Sequence, residues 1–307
     1  MKKSIFALAT LCVLAAVVTV AQQGQRRAPD PRSMGGGDCR DNPYNCADAA
    51  NPLPAATTVW IEEMTWMDVR DALKAGKTTA IVPTGGIEPN GPWLVTGKHN
   101  YVLHANCDAI ARKLGNALCA PIVKYVPEGD IEPKTGHMTS PGTITMREAT
   151  FQAVLTDVAE SLQAHGFKTI VFIGDSGGNQ KGQETVAGTL TAKWAGKAVA
   201  LHIGEYYTYN VVTKHFEDSG ALPKDRKSDN MHDDPVITLN MFIDDPKSVR
   251  YDERVKAGKA TIDSVSIADR AKATDLAKQI VAFRADHTVA AINKAIAAKG
   301  KATMAQQ

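Results

Sequence analysis

The sequence is short of aromatic residues, which make up 6% of its 307 positions, and it has almost no charge bias, with 35 Lys and Arg against 33 Asp and Glu. It also has no basic run, so it lacks the electrostatic footprint of a nucleic-acid binder or of a protein held on an anionic membrane surface. Long apolar stretches are missing beyond the first twenty-one residues, which excludes a multi-span membrane protein. With five cysteines in the whole chain, a disulfide-dense miniature scaffold is excluded too. What remains is ordinary for a globular chain: 44% hydrophobic and 22% charged residues, enough to build a sizeable core. The length suits one α/β domain with appendages or two smaller domains.

Residues 1–21 carry Lys2 and Lys3, an apolar run from Ile5 to Val20 and the small-residue end Thr19-Val20-Ala21. This is the pattern of a cleaved secretory signal peptide, and it predicts a periplasmic or secreted protein with no membrane attachment after cleavage. Removal of both lysines leaves the mature chain near neutral. Residues 22–57 are rich in Pro, Gly, Ala and Asn without apolar periodicity, so they are expected to form a linker or surface wrap. Within them Cys39 and Cys46 are close enough to close a small loop in an oxidising compartment. For Cys107 and Cys119, buried free thiols and a second bridge are both open.

Residues 58–307 alternate helical and extended patterns. Thr65 with Asp68 forms a capping signature before Trp66, Val69 and Leu73, and Gly76 ends that helix. Strands are predicted at 79–83, 120–126, 168–173 and 198–203, with helices at 100–114, 147–164 and 180–194 between or after them. A short helix is predicted near Val211 to Phe216 and a long one from Ile267 to Ala298. Such alternation predicts an α/β fold, a three-layer α/β/α sandwich around a mostly parallel sheet.

Ligands of an open parallel sheet gather at the carboxyl ends of its strands. Four loops there carry chemistry: Gly85 to Trp93 running on to His99, Gly136 to Ile144, Gly174 to Asn179, and Met231 to Asp234. In these loops the chain resembles the creatininase family of metal-dependent amidohydrolases, and the likeness extends over nearly everything after Thr58. Glu88, Asn90, Gly91-Pro92 and His99 stand where the family has a Glu, a His, Gly-Pro and an Asp. His137 and Pro141 to Ile144 match its His and Pro-Gly-Thr-Ile segment. Gly174 to Asn179 stands for its Asn-Gly-His-Gly-Gly-Asn, and His232 to Pro235 for its His-Ala-Gly-Glu, with Thr238 to Val249 following its next helix and turn.

The resemblance implies a creatininase-like sandwich, hydrolysis of a C–N bond in a small polar cyclic or linear amide, a divalent metal, and a homo-oligomer such as a hexamer. Of the family's metal ligands only Glu88 is unchanged, since Asn90, His99 and Ser176 replace a His, an Asp and a His. The replacements still offer nitrogen and oxygen donors, so one Zn or Mn ion held by Glu88, His99 and Asp175, with Asn90 or His232, is expected in preference to two ions. His232 takes the place of the catalytic His, a proton shuttle. His137, Trp93, Gly177 and Gly178 are expected to line the substrate pocket. Gly174-Asp175-Ser176-Gly177-Gly178 also fits the Gly-x-Ser-x-Gly turn of α/β hydrolases, which keeps open a metal-free serine hydrolase with Ser176 as nucleophile and His232 as base. A non-catalytic small-molecule binder is the third reading.

Overall fold

The computed structural model describes residues 27–34, 37–228 and 232–304, with side chains through residue 298. The expected signal peptide lies outside the described residues. The chain divides into two compact units, 1–54 and 55–307. In the first, a disulfide joins Cys39 to Cys46 around a one-turn 3-10 helix at Pro43–Asn45. This segment was expected to be a linker or wrap, and it holds together locally through that staple and an Asp38–Arg40 ion pair.

The second unit is built on a four-stranded sheet of β1 (Thr79–Thr84), β2 (Ala117–Cys119), β3 (Thr169–Gly174) and β4 (Val199–His202). Its order is β2-β1-β3-β4 and every pairing is parallel. All six residues of β1 are buried, as expected of a strand covered on both faces. On one face lie helices α1 (Trp66–Lys74), α3 (Glu148–Ala164) and α4 (Gln180–Trp194), which pack Leu73, Phe151, Leu155, Val186 and Leu190 against Val82, Ile170 and Phe172. On the other face α2 (Lys98–Leu114) and α8 (Arg270–Met304) bury Leu103, Ile110, Ala285 and Ile292 against Ile81, Val171 and Ile173. The α/β sandwich with a parallel sheet is therefore as expected.

The second predicted strand differs. Residues 120–126 were expected to be extended, but the ladder with β1 covers only Ala117–Cys119, and a lone bridge at Thr84↔Val123 follows. Pro83 on β1 has no N–H to donate to this segment, so the regular ladder stops. The remaining helices are α5 (Tyr209–Asp218), α6 (Pro235–Asp244) and α7 (Tyr251–Lys256), and a small hairpin pairs β5 (Thr261–Ile262) with β6 (Val265–Ser266). Helix α6 is nearly all buried, and it packs Val236, Leu239 and Phe242 in a third cluster with Val102 of α2 and Ile280 of α8. A disulfide between Cys107 of α2 and Cys119 of β2 decides the question the sequence left open, and both cysteines are fully buried.

Candidate active site

β1 and β3 run side by side in register, with Thr84 opposite Gly174, so the loops leaving their carboxyl ends start from one place. Asn179 ties them together: its Nδ2 donates to the carbonyls of Thr84 and Gly85 and to Thr84 Oγ1 at 2.9–3.0 Å. A cavity of about 470 Å³ opens there, lined among others by Glu88, Lys98, His99, Glu128, His137, Asp175, Ser176, Tyr209 and His232.

A chain of buried charges runs along its floor. Lys98 Nζ lies 2.7 Å from Glu88 Oε1, and His99 Nε2 faces the same oxygen at 3.1 Å without hydrogen-bond alignment. His99 Nδ1 is hydrogen-bonded to Asp175 Oδ2 at 2.8 Å. Arg284 Nη2 donates to Asp175 Oδ1 at 3.0 Å, and Tyr209 donates its hydroxyl to that oxygen at 2.7 Å. Burial alone would lower the His99 pKa, but the hydrogen bond to Asp175 and the nearby Glu88 carboxylate win and raise it. Burial likewise opposes ionisation of Asp175 and Glu88; His99, with Arg284 on one and Lys98 on the other, holds both below the usual carboxylate range. His99 is thus held between two carboxylates, hydrogen-bonded to Asp175 and facing Glu88.

A second group stands at the cavity mouth. His137 Nδ1 is 2.8 Å from Glu88 Oε2 and 2.9 Å from Glu128 Oε2. His232 Nδ1 is 3.8 Å from Glu88 Oε1, and the two imidazole rings are 5.5 Å apart. Glu88, His137 and His232 each offer one ligand atom, all within 4.8 Å of one another. Donors on one tetrahedral ion with bonds of ~2.1 Å stand roughly 3.4 Å apart, so this trio is within reach of one ion. Glu128 Oε1 is buried without a hydrogen-bond partner. Burial pushes the Glu128 carboxyl up to about 7; the His137 hydrogen bond opposes this, and the nearby Glu88 charge adds to it. Gly86 makes room for that carboxylate, because a Cβ there would lie 2.2 Å from Glu128 Oε1. His232 sits at φ 56°, in the left-handed region, and is followed by Asp233, which Arg254 holds in a buried ion pair at 2.7 Å. Burial and the Lys98 charge lower the His232 pKa, which favours the neutral, ligating imidazole.

The creatinine amidohydrolase (creatininase) family model matches residues 62–307. The chain belongs to the creatininase family. Members are amidohydrolases acting on C–N bonds other than peptide bonds. A creatinine amidohydrolase of Pseudomonas putida is 25% identical over 116 residues, which span 38% of this chain and 44% of that protein. Among solved structures, creatinine amidohydrolase (creatininase) aligns with a TM-score of 0.51 at 20% identity, covering 80% of this chain and 98% of that one. A mutant creatininase of Zn-Zn type aligns at 0.52 and 20% identity, over 75% and 97%. A creatininase structure described with Mn aligns at 0.50 and 21% identity, over 79% and 99%. At these identities the structural likeness speaks for the fold.

Glu88, His99 and Asp175 do converge, but the ligand atoms of His99 and Asp175 are engaged with each other, with Arg284 and with Tyr209. The trio within reach of one ion is Glu88 with His137, expected to touch substrate and hydrogen-bonded through Nδ1 to Glu128 Oε2 at 2.9 Å, and His232, expected to shuttle protons. Asn90 Nδ2 donates to the Glu88 carbonyl, and Asn90 and Trp93 are not among the residues lining the cavity. Gly177 and Gly178 do line it, and Gly178 has to be Gly because a Cβ would lie 2.5 Å from the Pro127 carbonyl oxygen. Ser176 is buried at the cavity edge, and no hydrogen bond joins its hydroxyl to any described histidine. Lys98, Glu128, Tyr209 and Arg284 were not anticipated. Lys98 adjoins His99, so its place in the motif was visible, whereas nothing in the sequence marks Arg284, 109 residues beyond Asp175.

Proposed function

We propose that this creatininase-family chain is a metal-assisted amidohydrolase that cleaves a C–N bond in a small polar cyclic or linear amide, with one Zn or Mn ion held by Glu88, His137 and His232. The observation that carries this reading is the meeting of one buried carboxylate and two imidazoles at the cavity mouth. A divalent ion there would supply Lewis acidity toward an amide carbonyl and would acidify water. The protein's own residues supply the rest. Glu128, buried beside His137 with one oxygen unpartnered, is placed to hold a proton and pass it to the leaving nitrogen. His99, fixed by Asp175 and Arg284, orients Glu88 from behind. The Gly177-Gly178 edge lets substrate approach backbone closely.

We further propose that the protein works outside the cytoplasm, which its two disulfides support, and that it assembles as a homo-oligomer, the family's implied habit. Light scattering on the purified chain tests the assembly. The metal reading is tested by elemental analysis after growth with ample zinc and manganese. The parent is expected to retain Zn or Mn, while His137→Ala and His232→Ala lose it together with chelator-sensitive hydrolysis of small amides. Less than about a tenth of an equivalent in the parent would sink the reading.

A further inference from the structure

We infer that the buried Asp233–Arg254 ion pair is what keeps His232 in the cation site, so that Arg254 of α7 is a positioning residue acting on His232 through Asp233. This rests on the metal reading above and goes beyond it by naming what fixes the most exposed of the three ligands.

The three ligands are held in different ways. Glu88 has a side chain only 2% exposed, and His137 is gripped through Nδ1 by Glu128 at 2.9 Å. The His232 side chain is 57% exposed, and its ring faces that of His137 at a centroid distance of 5.5 Å. Packing does little to fix it, so the backbone decides where the ring lies. At φ 56° that backbone is in the left-handed region, which a residue with a Cβ keeps only when its surroundings hold it there.

The holding groups follow directly in the chain. Asp233 is 4% exposed, and its Oδ2 accepts from Arg254 Nη2 at 2.7 Å. Arg254 is 1% exposed and pinned a second time, since its Nε donates to the Val249 carbonyl at 3.1 Å. Asp234 is fixed as well: its Oδ1 accepts the Ile237 N–H at 2.8 Å and caps α6, whose Val236 and Leu239 are core residues. Asp233 is the anchor next to His232, and it cannot turn away without leaving the buried Arg254 charge uncompensated. Once Asp233 is released, residue 232 is free to relax to negative φ and carry its imidazole away from Glu88 and His137.

The test is read without any activity. Metal-stripped protein is titrated with cobalt(II) chloride, whose visible absorption follows its coordination geometry. Asp233→Asn is expected to weaken cobalt binding about 10–100-fold, the effect of losing a group that orients a ligand, and at saturating metal to show the spectrum of His232→Ala. Arg254→Lys, which keeps the ion pair, is expected to retain the wild-type spectrum. In a His232→Ala background, Asp233→Asn is expected to cost no further affinity. Asp233→Leu paired with Arg254→Met leaves no buried charge uncompensated, so it removes the tether without that penalty on the fold, and it is expected to show the same loss and the same spectrum as Asp233→Asn. Wild-type affinity and spectrum in both Asp233→Asn and the Leu–Met pair would overturn the inference and leave the metal reading intact, as would an equal loss in the His232→Ala background. No cobalt bound by the wild type would remove that reading itself, and the inference with it. Should Asp233→Asn fail to fold, the paired replacement decides.

Discussion

At the scale of single residues, the site is governed by what buried charges must do to stay buried. Asp175 has no exposed surface, and Arg284 is about as deep, with its guanidinium over the rings of Tyr206 and Tyr209 at 4.4 and 4.5 Å. Removing one member of such a pair leaves the other uncompensated, a loss of about 3–5 kcal/mol. Arg284→Met is therefore expected to lower unfolding free energy by roughly that amount in a chemical denaturation series, and Tyr209→Phe, which removes only one hydrogen bond to the carboxylate, by about 1–2 kcal/mol. An equal, small effect of both would mean that Asp175 is not held ionised by Arg284. The roles anticipated for His99 and Asp175 were chemically sound, since an imidazole and a carboxylate are good ligands. Their partners are what redirect them: both Asp175 oxygens are taken by Arg284, Tyr209 and His99, and His99 Nδ1 is taken by Asp175.

At the scale of elements, local signals worked where the chain acts locally. Thr65 and Asp68 make the reciprocal capping box at the start of α1, and α4 spans Gln180–Trp194 as its periodicity predicts. They failed for β2, where the length of a strand depends on whether its neighbour can keep donating hydrogen bonds. Helix α6 illustrates the other limit. Its ten residues are almost uniformly apolar and buried, so no amphipathic rhythm marks them, and the Asp234 cap and Pro235 are the local signs of its start. The link between α2 and β2 is covalent. A loop of this size, with a sequence separation of 12, is worth roughly 3 kcal/mol through the chain entropy it removes from the unfolded state. Cys107→Ser with Cys119→Ser is expected to lower the melting temperature clearly, and reducing agent should lower that of the parent by more than that of the double variant, in which only the Cys39–Cys46 bridge is left to reduce.

At the scale of the whole molecule, two sets of titrating groups bound the pH range of stability. The Asp175 carboxyl is held below its ordinary value of 3.8 in the folded protein. Its contribution is present above that value and is lost as pH falls through the lower folded one. The Asp244 hydrogen bond raises the half-exposed His104 above its ordinary 6.5, against a smaller opposing effect of burial. That contribution is complete below 6.5 and fades as pH rises through the folded value. Thermal unfolding followed across pH should show a steep loss on the acid side and a shallow one above neutrality. His104→Gln should flatten only the shallow limb; a change in the acid limb would contradict this assignment.

By itself, the sequence determined the alternation of strands and helices, the parallel sheet, the family, and the loops that carry the chemistry. All of these depend on neighbours along the chain or on motifs a few residues long. Only the tertiary structure decided which donors remain free. Glu88, Glu128, His137, His232 and Arg284 come from five separate stretches, and whether an imidazole is free for an ion or tied to a carboxylate depends on which charges those stretches bring within about 4 Å of it.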